Sequence, residues 1–292
     1  MSTRIAYVGV IFIWSTTPLA IQWSSEGVGI LFGVTARMLL GLSVACLLLY
    51  ISRQKIPWHK DALKTYIASG LGIYTAMTCV YWASQYIPSG WISVVFGLSP
   101  IITGILAFVI LREDALSSHK LIGMLLGFAG LLIIFDNSIE SGMDFIFGVG
   151  AVLAGTFFHS TSAVIIKRIN AGISGLASTA GGLMLAAPLF LLTWIMFEGH
   201  LPTSIDSRAF YAILYLGVIA SAIGFALYYY VLTSMEVSRV SLITLITPVC
   251  ALILGNVFNG EIISPVVLGG TGFILAGLIF YEHGQKMIRQ QE

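Results

Sequence analysis

The chain of 292 residues is 58% hydrophobic and only 9% charged, with 31 glycines and 8 prolines, whereas a soluble domain carries about 25% charge. So few polar side chains cannot cover a globular surface, which excludes a water-soluble enzyme of one or two domains. The formal net charge is +1 and no long basic run is present, which speaks against nucleic-acid binding and leaves an integral membrane protein in contact with lipid.

A helix that crosses hydrocarbon needs about 20 mostly apolar residues, because every backbone polar group must be bonded within the segment. Reading from charge to charge, the first such stretches are 5–23 and 30–51, the second holding a single charge, Arg37. Residues 65–111 carry no charge and are too long for one crossing. Ile87-Pro88-Ser89 divides them into 65–86 and 90–111, since proline lacks an amide donor and disfavours helix at the residue before it. The remaining stretches are 119–135, 145–166, 176–197, 209–233, 240–258 and 264–281, which makes ten predicted spans with short connections. The first shows no small-residue cleavage pattern and reads as a retained helix rather than a signal peptide. Cys46, Cys79 and Cys250 lie singly in apolar runs without a metal-binding spacing, so neither a metal site nor a disulfide is expected.

Basic residues orient the spans. With the N-terminus on one side, that side collects Arg4, Arg53, Lys55, Lys60, Lys64, Arg112, Lys120, Lys167, Arg168, Arg239, Lys286 and Arg289, and the other side only Arg208. Such a bias over short loops makes the richer side, with both termini, cytoplasmic.

The sequence also repeats. Leu98-Ser99-Pro100 answers Ile246-Thr247-Pro248, Asp114-Ala115-Leu116-Ser117 answers Glu261-Ile262-Ile263-Ser264, and Leu121-Ile122-Gly123 answers Leu268-Gly269-Gly270. Trp14-Ser15-Thr16-Thr17 in span 1 resembles His159-Ser160-Thr161-Ser162 in span 6, and Tyr81-Trp82 falls opposite Tyr229-Tyr230. The halves, 1–144 and 145–292, would each hold five spans; five is odd, so the second would enter the membrane from the opposite side. Inverted repeats place a site near the midplane between the halves, which rock about it. The expected fold is thus an all-α integral membrane protein of ten transmembrane helices in two inverted five-helix repeats.

The stretches 88–134 and 238–280 carry a mid-helix proline, an acidic corner, a following Leu-Ser or Ile-Ser pair and a glycine-rich last helix. In these features, in the Trp-Ser-Thr run of span 1 and in the arginine of span 2, the chain resembles the drug/metabolite transporter superfamily, EamA type. That resemblance implies a ten-helix exporter of amino acids or other metabolites. Glu113-Asp114 doubles the acidic corner, and either of the two answers Glu261.

Several residues are candidates for a binding site. Arg37 lies mid-way along span 2, where an arginine costs about 2.5–3.5 kcal/mol; it either packs by pairing with a helix carbonyl or marks a solute pathway. His159 lies deep inside a predicted span; a neutral imidazole bonding a neighbouring hydroxyl and a group facing a ligand are its two readings. Tyr74, Thr78, Tyr81 and Trp82 on span 3 are spaced to share a face, and Tyr228 and Tyr229 stand at the related place on span 8. Trp14 and Thr17 on span 1, Ser162 on span 6 and Thr244 on span 9 complete the set. Pro100 and Pro248 interrupt spans 4 and 9 at matching positions, either as packing kinks or as hinges. The small-residue patterns at Gly29 and Gly33, Gly123 and Gly127, and Gly272 and Ala276 serve close packing inside the bundle or, on spans 5 and 10, the face of a homodimer.

No nucleotide-binding loop is present and no cofactor is expected, so the solute gradient or protons would supply the energy, with His159 or Glu236 as the titrating group. The leading reading is a secondary transporter that exports a small amphipathic metabolite through an aromatic and polar cavity, as a monomer or homodimer. An intramembrane enzyme is disfavoured because His159 and Ser160 are adjacent rather than on one helix face. A passive channel is disfavoured by the lack of charged rings.

Overall fold

A computed structural model describes residues 2–111, 118–136, 142–235, 240 and 243–289. Most of the described residues are helical, and none of them forms a strand. In chain order the helices are α1 (Thr3–Trp23), α2 (Ile30–Ile51), α3 (Lys60–Ala83), α4 (Ser89–Phe96), α5 (Ser99–Leu111), α6 (Ser118–Asp136), α7 (Met143–Ile169), α8 (Gly175–Phe197) and α9 (Ser207–Tyr215). A π-helical segment (Leu216–Gly224) then leads into α10 (Phe225–Ser234), followed by α11 (Ile243–Asn259) and α12 (Pro265–Arg289). Among the described residues, six stretches are long and apolar enough to cross a membrane: α1, α2, Ser89–Leu111, α7, α8 and Ser207–Ser234. The chain is therefore a multi-pass membrane protein.

The helices coincide with the apolar stretches and overrun them where polar side chains find local partners. Helix α3 starts five residues before the apolar run, at Lys60, because the His59 ring accepts the Ala62 N–H at 3.3 Å and Lys64 pairs with Asp61 at 2.9 Å. Helix α7 continues to Ile169, where Lys167 donates to the carbonyls of Leu232 at 3.1 Å and Met235 at 2.6 Å. It thereby satisfies acceptors that the end of α10 leaves open.

The two prolines expected as hinges sit differently. Helix α4 ends at Phe96, Gly97-Leu98 turn the chain, and Pro100 is the second residue of α5, a position where a missing N–H is tolerated. Pro248 lies inside the continuous α11. The two regions meet: a Cβ added at Gly97 would stand 3.4 Å from Pro248 Cγ.

Helix α3 packs along α7 and α8; α2 lies against α8 and the π segment; α1 runs beside α11, α10 and the π segment; α4 leans on α11; and α6 pairs with α12. Small residues permit these approaches. A Cβ at Gly277 would meet Gly123 O at 2.6 Å and Gly127 N at 2.7 Å, so that glycine pair faces α12 inside the bundle.

Candidate functional site

Two neighbouring cavities, of about 80 Å³ and about 10 Å³, share Met77, His159 and Phe225 in their walls. The larger is built from many elements at once. Trp14, Thr17, Pro18 and Ile21 come from α1, Arg37 from α2, and Met77 and Val80 from α3. Ile92, Ser93 and Phe96 belong to α4, His159 to α7, Ala220 to the π segment, Phe225 to α10 and Thr247 to α11. A void of this size has room for several water-sized groups. Its wall is mostly apolar with a few polar side chains, as small-molecule sites are.

Arg37 is 1% exposed. Its Nε donates to Ser221 Oγ at 2.8 Å, and its guanidinium carbon lies 5.9 Å from the centre of the Tyr81 ring. Its Nη1 is buried without a hydrogen-bond partner among the described residues. Ser221 reaches it because the helix widens to π geometry there, and because Gly41, one turn beyond Arg37, leaves room: a Cβ at Gly41 would stand 2.8 Å from Ser221 Cβ. Single π turns inside α-helices occur often at functional sites.

His159 sits in a box of rings. Trp14, Tyr228 and Phe96 place their centroids at 5.5, 5.2 and 5.8 Å from the imidazole, from α1, α10 and α4 respectively. Trp14 and Tyr228 also contact each other at 4.9 Å. The His159 Nδ1 is buried and has no partner among the described residues. The neighbouring Ser160 turns away to share a hydrogen bond with Ser99 Oγ at 3.4 Å.

Of the residues singled out in the sequence, Trp14, Thr17, Arg37 and His159 line the larger cavity, and His159, Ser162, Tyr228 and Tyr229 line the smaller. Thr17 donates to Ile13 O at 2.7 Å and Ser162 to Ala68 O at 2.9 Å. The span-3 residues separate. Tyr81 points inward, 1% exposed, and shares a hydrogen bond with Ser24 Oγ at 3.3 Å. Trp82, one step round the helix, is 38% exposed and packs on Tyr86. Thr78 donates to Tyr74 O within its own helix at 2.7 Å. Tyr74 stacks on Phe190 at 4.8 Å and hydrogen-bonds Thr193 Oγ1 at 2.7 Å, so its phenol is used against α8. Tyr74→Phe should therefore lower stability by about 0.6 kcal/mol, the usual worth of such a bond between membrane helices. It should leave ligand affinity unchanged in a binding titration. A large affinity loss would return Tyr74 to the cavity. Thr244 lies on α11, but its side chain falls outside the described residues, as do Glu113, Asp114 and Glu236 altogether.

Sequence reasoning missed Phe96, Phe225, Met77, Ser93 and Thr247. The apolar ones carry no signal in a chain where apolar residues are everywhere. Thr247 had one: a hydroxyl directly before a mid-helix proline.

One end of the bundle is tied by a polar network. The Glu261 carboxylate accepts from the Ser89 N–H at 3.0 Å, Ser89 Oγ at 2.6 Å and the Gly90 N–H at 3.0 Å, capping the start of α4. Asn259 joins in, donating to Glu261 Oε1 at 3.2 Å and Gln22 Oε1 at 3.1 Å while accepting from Trp23 Nε1 at 3.1 Å. Glu198 serves α2 in the same way, accepting from the Leu31 and Phe32 N–H groups at 3.3 and 3.2 Å.

The EamA-like transporter family matches residues 2–136 and again residues 146–281. The uncharacterized transporter YoaV of Bacillus subtilis is 25% identical over 95% of this chain and 96% of its own. A probable terminal-alkyne amino-acid exporter of Streptantibioticus cattleyicolor is 23% identical over 94% of this chain and 91% of its own. A probable amino-acid metabolite efflux pump of Salmonella typhimurium is 24% identical over 82% of each chain. A crystal structure superposes with a TM-score of 0.72 at 20% identity, over 96% of this chain and 97% of that one, a likeness of fold. With both of its long stretches matched, this chain belongs to the EamA-like transporter family.

Proposed function

We propose that the protein is a secondary carrier that exports a small metabolite, an amino acid or related amphipathic solute, across the cytoplasmic membrane by alternating access. The observation that carries this reading is the larger cavity: its wall combines side chains from α1, α2, α3 and α4 of the first matched stretch with others from α7, the π segment, α10 and α11 of the second. A carrier needs its site at such a seam, because only there does relative motion of two halves change which side has access.

In this reading the chain makes ten crossings, arranged as inverted five-helix halves, 1–144 and 145–292, with both termini in the cytoplasm. The distribution of basic residues supports the orientation. The packing supports a two-fold relation between the halves: α3 lies along α7 as the α9–α10 helix lies along α1, and α6 pairs with α12. Two relatives named as amino-acid exporter and amino-acid metabolite efflux pump support the solute class. Chemistry on the solute has no support in the site, where Ser160 is bonded to Ser99 rather than to His159.

Counterflow tests the proposal. Proteoliposomes loaded with unlabelled amino acid should accumulate the labelled form transiently, and the rate should saturate with outside concentration. Linear, non-saturating flux without that overshoot would indicate a channel and end the carrier reading.

A further inference from the structure

The larger cavity holds a cation without an anion. Arg37 is buried, and no carboxylate lies within 4 Å of it among the described residues, whose ion pairs join Lys64 to Asp61 and Arg208 to Glu26 at exposed positions. The other acids with described partners are also occupied away from the cavity: Glu198 and Glu261 cap helices, and Asp206 accepts the Arg208 N–H. The fold gives the guanidinium one hydroxyl, that of Ser221, and one ring face, that of Tyr81. Nη1 has no hydrogen-bond partner among the described residues. Taking an ion out of water costs several kcal/mol unless its partners replace the lost hydration. A guanidinium left this way is matched by a planar oxyanion, which accepts two parallel hydrogen bonds. Most of the rest of the wall, Trp14, Ile21, Met77 and Phe96 among it, is apolar.

We propose that Arg37 receives the carboxylate of the transported solute, so that the site selects small, apolar-bodied carboxylates over amines and amides of the same skeleton. The assignment rests on the carrier reading and narrows it. An ammonium group entering the cavity meets aromatic rings and the Arg37 cation but no acid among the described residues. The carboxylate end therefore governs recognition. Thr17, Ser93 and Thr247 are the hydroxyls nearby that hold the remaining polar atoms of such a solute.

The test uses the purified full-length protein and a matched set: isovalerate, isovaleramide, isopentylamine and leucine. At about pH 7 the acids are ionised and the amine protonated. Isovalerate and leucine should raise the melting temperature saturably, and the amide and amine should not. R37Q should weaken carboxylate binding about tenfold or more, as the loss of a hydrogen bond to a charged group implies. R37K, which keeps the charge but not the fork, should fall between. Should R37Q not fold, the wild-type ranking decides alone. Equal binding of amide or amine, undiminished carboxylate binding in R37Q, or no shift with either carboxylate would each overturn the assignment. Counterflow separates this failure from that of the carrier reading: overshoot with the amine or amide but not the acids leaves a carrier and removes the role of Arg37.

Discussion

Gly72→Val should destabilise the bundle by about 1–3 kcal/mol, the cost of overpacking a filled core. At this point only the Ser162 side chain separates α7 from the α3 backbone: a Cβ at Gly72 would lie 2.4 Å from both Cβ and Oγ of Ser162. No rotamer of Ser162 relieves a clash with its own Cβ, so the two helices must part. That separation would also strain the Ser162 bond to Ala68 O, 2.9 Å in length, and shift His159 one turn away on the same helix. Detergent-titrated unfolding measures the effect, with Gly272→Val as the control, since a Cβ at Gly272 has nothing within 4 Å. If both variants unfold alike, the close approach of α3 and α7 is not a determinant of stability.

Glu261→Ala should cost about as much by a different route. It strips acceptors from the Ser89 N–H, the Ser89 hydroxyl and the Gly90 N–H at once, and Ser89 is 1% exposed, so water does not readily replace them. Loss of a helix cap alone is worth about 0.5–2 kcal/mol, and a buried donor left unbonded about 1–3. Glu261→Gln should fall between, because one amide oxygen takes over only part of the set. Amide hydrogen exchange at Ser89 and Gly90 should quicken in E261A well beyond the average for the chain. Unchanged exchange there would show that other groups hold the start of α4.

Hydrophobic periodicity is nearly silent in this chain; its charges are what made the helices legible. The stretch from Ile30 to Ile51 is a helix with those same bounds, since polar loops flank it on both sides. The boundary at Lys60 was hidden, because Lys60, Asp61 and Lys64 look like loop until their own pairing is known. The site was legible where a residue was costly to bury: Arg37 and His159 stand out in an apolar run, and both line the cavity. Trp82 and Tyr81 show the opposite. Adjacent in sequence and both aromatic, they part because one step round a helix is about 100°, which carries Tyr81 inward and Trp82 outward. Which apolar side chains form the wall is set by how helices from distant parts of the chain cross, and no local pattern records that.

The π segment at Leu216–Gly224 makes the middle of this helix unusually forgiving of a shorter chain. Each of its hydrogen-bonded rings encloses one residue more than an α-helical ring does, so a single-codon deletion there could be absorbed by reverting to α geometry. The helix on either side would keep its phase, but within the segment the residues upstream of the deletion would lose their present register relative to Phe225. Ser221 would then swing off the guanidinium it now meets, and the protein would insert and fold while losing the hydroxyl that Arg37 is given.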